Sequence, residues 1–305
     1  MFATLFQLMG TMFFLMLVGA LLRFTGLIDN RAKKSLTDII LYAILPCNII
    51  KAFSSNVSGC ETKEFVITLA IAIAVQMMAL FISKFMYGFV ENGKKEVYQY
   101  GTVCSNSGFL GNPIAEGVFG TTGLVYASVF LIPQRIVMWS AGVSFFSKEE
   151  NRAATYKKVL THPCMIATYI GMLIMIFNLK IPMFINGAVT ALSNCTTAMT
   201  MVYVGTILVD INIKKLINRQ QIYFSFIRLV VMPLIVYVVC YFAHIDSLIT
   251  GVCVLLTGMP AGSTTSLLAS KYGADEDSAA QSVVFTTILS IISIPIWSAI
   301  LLNNI

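Results

Sequence analysis

Two stretches of this 305-residue chain gather small polar residues around glycine and proline, and their chemistry is that of anion binding. The first reads Cys104-Ser105-Asn106-Ser107-Gly108-Phe109-Leu110-Gly111-Asn112-Pro113. The second reads Leu256-Thr257-Gly258-Met259-Pro260-Ala261-Gly262-Ser263-Thr264-Thr265-Ser266. Amides and hydroxyls donate hydrogen bonds, and a helix restarting after a break turns unpaired N–H groups and a positive dipole end toward the gap. Asn112-Pro113 reads as a helix cap followed by proline at the first helical position, so a second half-helix is expected there. Such an arrangement suits a carboxylate or another small anion. The plainer alternative is a pair of kinks that only help helices pack. Two kinks with the same polar ingredients favour a site.

Charged and amide groups in apolar surroundings add candidates. Arg135 lies eleven residues beyond Leu124, about 16 Å along a helix, which puts it at mid-membrane depth. A cation there costs about 2.5 kcal/mol or more unless paired or hydrated. Contact with an anionic substrate and a permanent pair with Glu116 are both open to it, and Gln134 beside it suits either arrangement. Arg228 is close enough to a cytoplasmic helix end to snorkel. Asp38 and Asp210 fall near cytoplasmic span ends, where solvation or pairing with nearby lysines is expected. In Leu45-Pro46-Cys47-Asn48, the proline is expected to kink its helix, and Asn48 is a candidate to line the substrate path.

The elements that must position these groups are membrane spans. The chain is 57% hydrophobic and only 11% charged, with a mean hydropathy of +0.83. Soluble domains carry about 25% charged residues, so this composition excludes a water-soluble globule, a disordered tail, a disulfide scaffold and a nucleic-acid module. Runs of about 20 apolar residues fall at roughly 3–22, 35–53, 65–88, 97–121, 123–146, 162–179, 181–209, 221–243, 247–270 and 278–302. The runs are continuous rather than alternating, which argues against a membrane β-barrel. The first is not a cleavable leader, because its first cation, Arg23, follows the apolar stretch.

Lysines and arginines orient the spans. Loops after the odd-numbered spans hold fifteen and loops after the even-numbered spans three, with Arg135 and Arg228 inside spans. The odd loops are therefore expected in the cytoplasm and both termini outside. The net charge of +6 is spent on this bias.

The two halves echo each other. The only tryptophans, Trp139 and Trp297, each precede Ser-Ala and follow a proline in the same span, Pro133 and Pro295. Pro113 and Pro260 sit in the two glycine-rich breaks. The offsets are 147 and 158 residues, near half the chain. Five spans per half would make the halves inverted in the membrane, as in many secondary transporters. The expected organisation is an all-α polytopic membrane protein of ten transmembrane helices. Residues 1–147 form the first five-helix repeat, 148–161 a cytoplasmic linker, and 162–305 the inverted second repeat. Helices 4 and 9 are expected to be broken and to cross.

The first break, together with Leu267-Leu268-Ala269-Ser270-Lys271-Tyr272-Gly273 and Thr286-Thr287-Ile288-Leu289-Ser290 before Ile294-Pro295, resembles the auxin efflux carrier family. That family includes plant auxin carriers and bacterial malate or malonate permeases. The resemblance covers the whole chain. It implies a scaffold from helices 1, 2, 6 and 7, a mobile transport part from helices 3–5 and 8–10, a carboxylate site at the crossing, and homodimers through the scaffold. Asn106 matches the family's crossover asparagine; in the second half Thr264 stands where bacterial members often show asparagine.

The function expected is alternating-access, elevator-like transport of a small organic anion across the plasma membrane. Its ligands would be Asn106, Asn112, Ser263, Thr264 and Thr265, at breaks made by Pro113 and Pro260, with Arg135, Gln134 and Asn48 as further contacts. An inside-negative potential of 100 mV is worth about 2.3 kcal/mol per charge. At 1.4 kcal/mol per tenfold it drives an anion outward about 40-fold without a coupling ion. Uptake would need H+, Na+ or exchange, and a Na+ site near Ser105 and Asn106 is open. No metal site, cofactor or nucleic-acid partner is expected: CxxC pairs are lacking and the only histidines are His162 and His244. GxSxG and HExxH are missing too, which argues against an enzyme. The alternatives are a Na+-coupled carrier of the bile-acid type and a membrane sensor that binds without transporting.

Overall fold

The computed structural model describes residues 2–54, 62–91, 93–146, 160–177, 179–209 and 218–302. Most of the expected linker 148–161 and Asp210 lie outside them. The described residues are helical, with one isolated antiparallel bridge, Ser105 to Ala261.

Helix α1 spans Phe2–Phe24 and α2 Asn30–Ser54. Helix α3 spans Thr62–Phe85 and α4 Lys94–Val103. After the first break, α5 covers residues 107–119 and α6 spans Thr122–Phe146. Helices α7 (Pro163–Ile176), α8 (Met183–Asn194) and α9 (Thr196–Leu208) follow. Then come α10 (Arg219–Phe242) and α11 (Ser247–Thr257). After the second break α12 covers Thr264–Tyr272 and α13 Glu276–Leu302. Five of these, α2, α3, α6, α10 and α13, are long and apolar enough to cross a bilayer, and shorter apolar helices run Gly10–Phe24, Pro163–Ile176 and Ser247–Thr257. Their outer faces carry large apolar side chains, Phe242 being 74% and Phe81 65% exposed, as lipid contact requires.

Two joints shape the first half. Gly120 adopts φ 70° and ψ −166°, a region essentially reserved for glycine, and there the chain leaves α5 for α6. Before it, a wide turn over Ser107–Gly111 continues into the helix from Asn112 without a break, with Gly111 at φ −69° and ψ −42°. The half-helix thus begins at Ser107. Asn112 is not its cap: the peptide nitrogen of Leu110 already donates to the Asn106 carbonyl at 2.9 Å, so the proline is accommodated inside the second turn.

Packing sorts the helices into two sets. In one set α1 packs on α9, and the second half of α2 on α7 and α8. Elsewhere α3 packs on α4 and on the segment Asn112–Val137, α11 packs on that segment and on α10, and α13 packs on α4, α11 and α12. The α1–α9 crossing is backbone on backbone. A Cβ on Gly19 would lie 2.0 Å from the Val202 carbonyl oxygen, and one on Gly205 1.9 Å from that of Met16. Such small-residue contacts substitute for a hydrophobic driving force that lipid does not supply.

A polar stripe marks which face of α13 looks inward. Ser278, Ser282, Thr286 and Ser290 recur every four residues and are all buried. Ser282 donates to Gln221 Oε1 at 3.1 Å, and Trp297 Nε1 donates to the Leu229 carbonyl at 2.9 Å. Leu229 lies in a wide turn of α10, Ile227–Val231, where helical hydrogen bonding is locally disturbed. Trp139, the echo of Trp297, instead stacks on His162 with ring centres 5.5 Å apart.

Candidate functional site

The two breaks meet. Asn106 N donates to the Pro260 carbonyl at 2.8 Å and Gly262 N to the Cys104 carbonyl at 3.0 Å, on either side of the Ser105–Ala261 bridge. These bonds exchange with each other under a shift of 156 residues, 104 to 260 and 106 to 262. In that register Asn106 corresponds to Gly262 rather than Thr264. One strand of the crossing therefore brings an amide where the other brings no side chain.

Each crossing strand is pinned by the long helix that follows it. Gln134 Nε2 in α6 donates to the Ser105 carbonyl at 2.9 Å, and its Oε1 accepts from Ser105 Oγ at 3.0 Å. Thr286 Oγ1 in α13 accepts from Ala261 N at 3.1 Å. The hydroxyl of Ser107 donates to the Leu256 carbonyl at 2.7 Å, and Tyr100 donates to Thr264 Oγ1 at 3.1 Å, leaving the threonine proton free to donate.

A cavity of about 50 Å3 opens at this point, lined among others by Asn48, Ser105, Asn106, Gln134, Arg135, Ser263 and Thr264. Residues from α2, the two breaks and α6 therefore converge. Asn112, Pro260 and Thr265 do not line it, and the side chain of Pro113 lies outside the described ones. Asn112 is six residues past Asn106, about 9 Å along a helix. Among the described residues, Asn106 is 1% exposed, yet neither its Oδ1 nor its Nδ2 has a hydrogen-bond partner; the Ser263 hydroxyl in the same lining is equally unmatched, as is that of Thr265 outside it. Buried polar groups are normally paired, and leaving one unpaired costs about 1–3 kcal/mol. Two such side chains lining one cavity leave hydrogen-bonding groups available within it. Gln134, by contrast, is already committed at both ends, and Asn48 Nδ2 donates to Ser193 Oγ in α8 at 3.1 Å.

Arg135 has no ion pair or hydrogen bond to a described residue. Its guanidinium lies 5.8 Å from the centre of the Phe53 ring, a cation–π contact that leaves the charge uncompensated. The pair with Glu116 does not form, and Glu116 is exposed. Arg228 corrects the expectation of snorkelling: it is 3% exposed and turned inward. Its Nε donates to the Met259 carbonyl at 3.1 Å and Nη1 to the Thr102 carbonyl at 3.0 Å. Position was the available signal, since Arg228 is the tenth residue of an apolar helix. Tyr100 and Thr286 carried no signal of their own, though Thr286 belongs to the four-residue stripe.

An apolar multi-helix chain with two interrupted segments joined at a polar cavity is built as a membrane transport protein. The family model described as membrane transport protein matches residues 4–158 and 153–298, and the chain belongs to that family, in keeping with its resemblance to the auxin efflux carriers. It is 26% identical over 301 residues to an uncharacterized transporter of Methanocaldococcus jannaschii, covering 95% of this chain and 96% of that one. It is 25% identical over 294 residues to an uncharacterized transporter of Methanothermobacter thermautotrophicus, covering 94% and 95%.

Proposed function

We propose that the protein is a secondary transporter that moves a small organic anion, a carboxylate, across the plasma membrane by elevator-like alternating access. The observation that carries this reading is the unpartnered Asn106 amide at a cavity shared with Ser263 and the unpaired cation Arg135. Hydrogen-bond donors and one positive charge converge, and no carboxylate among the lining residues opposes them. Arg135 supplies charge, Asn106 and Ser263 supply direction, and Gln134 holds the strand that carries Asn106. Asn112 and Thr265 support the crossing from one turn further away.

Two features support a five-plus-five inverted repeat, with repeats at 1–147 and 162–305. The crossing bonds exchange at an offset of 156. At an offset of 152, Gly19 and Gly205, which lie on the two helices of the α1–α9 crossing, correspond to Gly171 and Phe53, and these two are in contact: a Cβ on Gly171 would lie 2.7 Å from the Phe53 ring. The sorting of α1, α2, α7, α8 and α9 from the rest supports a scaffold and a mobile part; the proposal adds a second copy docking through the scaffold and, from the lysine and arginine bias of the loops, both termini outside the cell.

The deciding measurement is flux in proteoliposomes. With an imposed inside-negative potential, labelled malate or malonate should leave the vesicles faster than through protein-free membranes. Flux indistinguishable from protein-free vesicles for short mono- and dicarboxylates alike would falsify the reading, and binding without flux would favour a sensor. Replacing Arg135 by glutamine should weaken carboxylate binding by about tenfold or more, as expected for loss of a charge-assisted contact. The melting temperature should hold, because Arg135 has no protein counter-ion to lose. Equal loss of binding and stability would make it a structural residue.

A further inference from the structure

We propose that Trp139, His162, Tyr42 and Lys271 form a proton-sensitive latch across the two helix sets, closed while His162 is neutral and released when it is protonated. This inference rests on the proposed scaffold and mobile part. The four side chains stand in one column. The Trp139 indole of α6 stacks on the His162 ring, with centres 5.5 Å and planes 15° apart. His162 in turn stacks on Tyr42 of α2 at 6.4 Å and 24°. Lys271 Nζ, near the end of α12, lies 4.6 Å from the centre of the Tyr42 ring and pairs with Asp38 of α2. His162 and Tyr42, in the middle, belong to the set of α2 and α7; Trp139 and Lys271, at the ends, belong to the other. The Cys164 thiol of α7 donates to the Leu41 carbonyl of α2 at 3.4 Å, which holds the middle pair together. A sliding mobile part would therefore undo both outer contacts at once.

Chemistry makes His162 the member that can switch. Its Nδ1 accepts from Cys164 N at 3.3 Å and so caps α7. A protonated ring has no acceptor nitrogen left, and its charge would face the positive end of that helix. Burial first, and the Lys271 charge second, hold its pKa below the ordinary histidine value, at about 4. Among the described residues, the titratable groups around it are Tyr42 of α2, Lys271 of α12 and Cys164 of α7, with Tyr100 of α4 near Cys164. Asp38 of α2 bonds to Lys271, and α6 faces the imidazole with Trp139, which does not titrate. Lys271 and Asp38 border an open cleft, the way in for a proton, while Trp139 lines the cavity that holds Asn106 and Arg135. Once released, the ring titrates near the ordinary value of about 6.5. The latch is therefore at full strength above that pH and weakens as pH falls toward about 4, with the open-to-closed ratio rising by up to about tenfold per unit.

Hydroxyl-radical footprinting tests this, because the chain has two tryptophans and only one stands in the column. Trp139 is 1% exposed; Trp297, 7% exposed, bonds to the Leu229 carbonyl within a single helix set and serves as the internal control. In purified wild type, lowering the pH from about 7.5 to about 5.5 should raise Trp139 oxidation several-fold, toward the roughly tenfold limit set by one unit below the free histidine value. Trp297 oxidation should stay constant. His162→Asn keeps a side-chain acceptor at the helix cap and cannot titrate, so its Trp139 oxidation should be the same at both pH values. Unchanged Trp139 in wild type, equal rises at the two tryptophans, or a rise that survives in H162N would each overturn the proposal. If H162N does not fold, the comparison of the two tryptophans in wild type decides. The assay needs no cargo. Malate flux in a protein whose Trp139 ignores pH removes the latch alone, and acid-driven exposure of Trp139 in a protein that carries no acid removes the transport reading alone.

Discussion

Asn106→Ala should weaken carboxylate binding sharply while leaving the protein as stable as before, or slightly more so. The amide is buried with both polar atoms unpartnered, so its removal breaks no protein hydrogen bond and relieves a desolvation cost of about 1–3 kcal/mol. A hydrogen bond to a charged ligand is worth about 1.5–3 kcal/mol, so affinity should fall roughly 10- to 150-fold. A thermal-shift titration separates the two effects. The mutant should melt at or above the wild-type temperature, and malate at a concentration near the wild-type Kd should no longer raise it. A mutant that melts lower yet transports normally would make Asn106 a packing residue. Asn106→Asp should also fail, since it would place a second anion where one is to bind.

The largest stability effect is expected where α1 crosses α9. Gly205→Leu would drive a Cβ to 1.9 Å from the Met16 carbonyl oxygen, a backbone atom that cannot move alone. The helices must separate, at a cost of about 3 kcal/mol or more, and the detergent-solubilised protein should melt many degrees lower or aggregate. Gly10→Ala provides the control on the partner helix α1. A Cβ there meets nothing within 4 Å, and alanine in a helix is favoured over glycine by about 1 kcal/mol. If the two variants melted alike, the tight crossing would be wrong.

The sequence carried the location of the site better than its wiring. Glycine, proline and small polar residues at matching places in two apolar spans located both breaks, and the bonds around Ser105 and Ala261 join them. Arg135 was legible because an isolated cation at mid-membrane depth has few bland explanations. Arg228 was misread because its partners, Thr102 and Met259, are 126 and 31 residues away and are backbone atoms, which no side-chain pattern announces. Asn112-Pro113 looked like a helix start for sound local reasons, but the wide turn at Ser107–Gly111 lets the helix begin one turn earlier. The Gly120 joint was hidden for the opposite reason: glycine is common in apolar spans, and only its backbone angles show the corner.

One contact between the two helix sets has a bearing on how the cell could tune the carrier. Lys33 and Asp38 of α2 bond to Glu276 of α13 and Lys271 at the end of α12, the first at 2.7 Å. They border a cleft of about 570 Å3 that also holds Lys34. Partly exposed pairs of this kind contribute about 0.2–1 kcal/mol each and weaken with ionic strength. In the proposed elevator motion a sliding transport part would have to open both, so together they would act as a light hasp on the rim proposed to face the cytosol. Raising salt on that side alone would loosen it, and the carrier would then respond to the electrolyte around it as well as to its cargo.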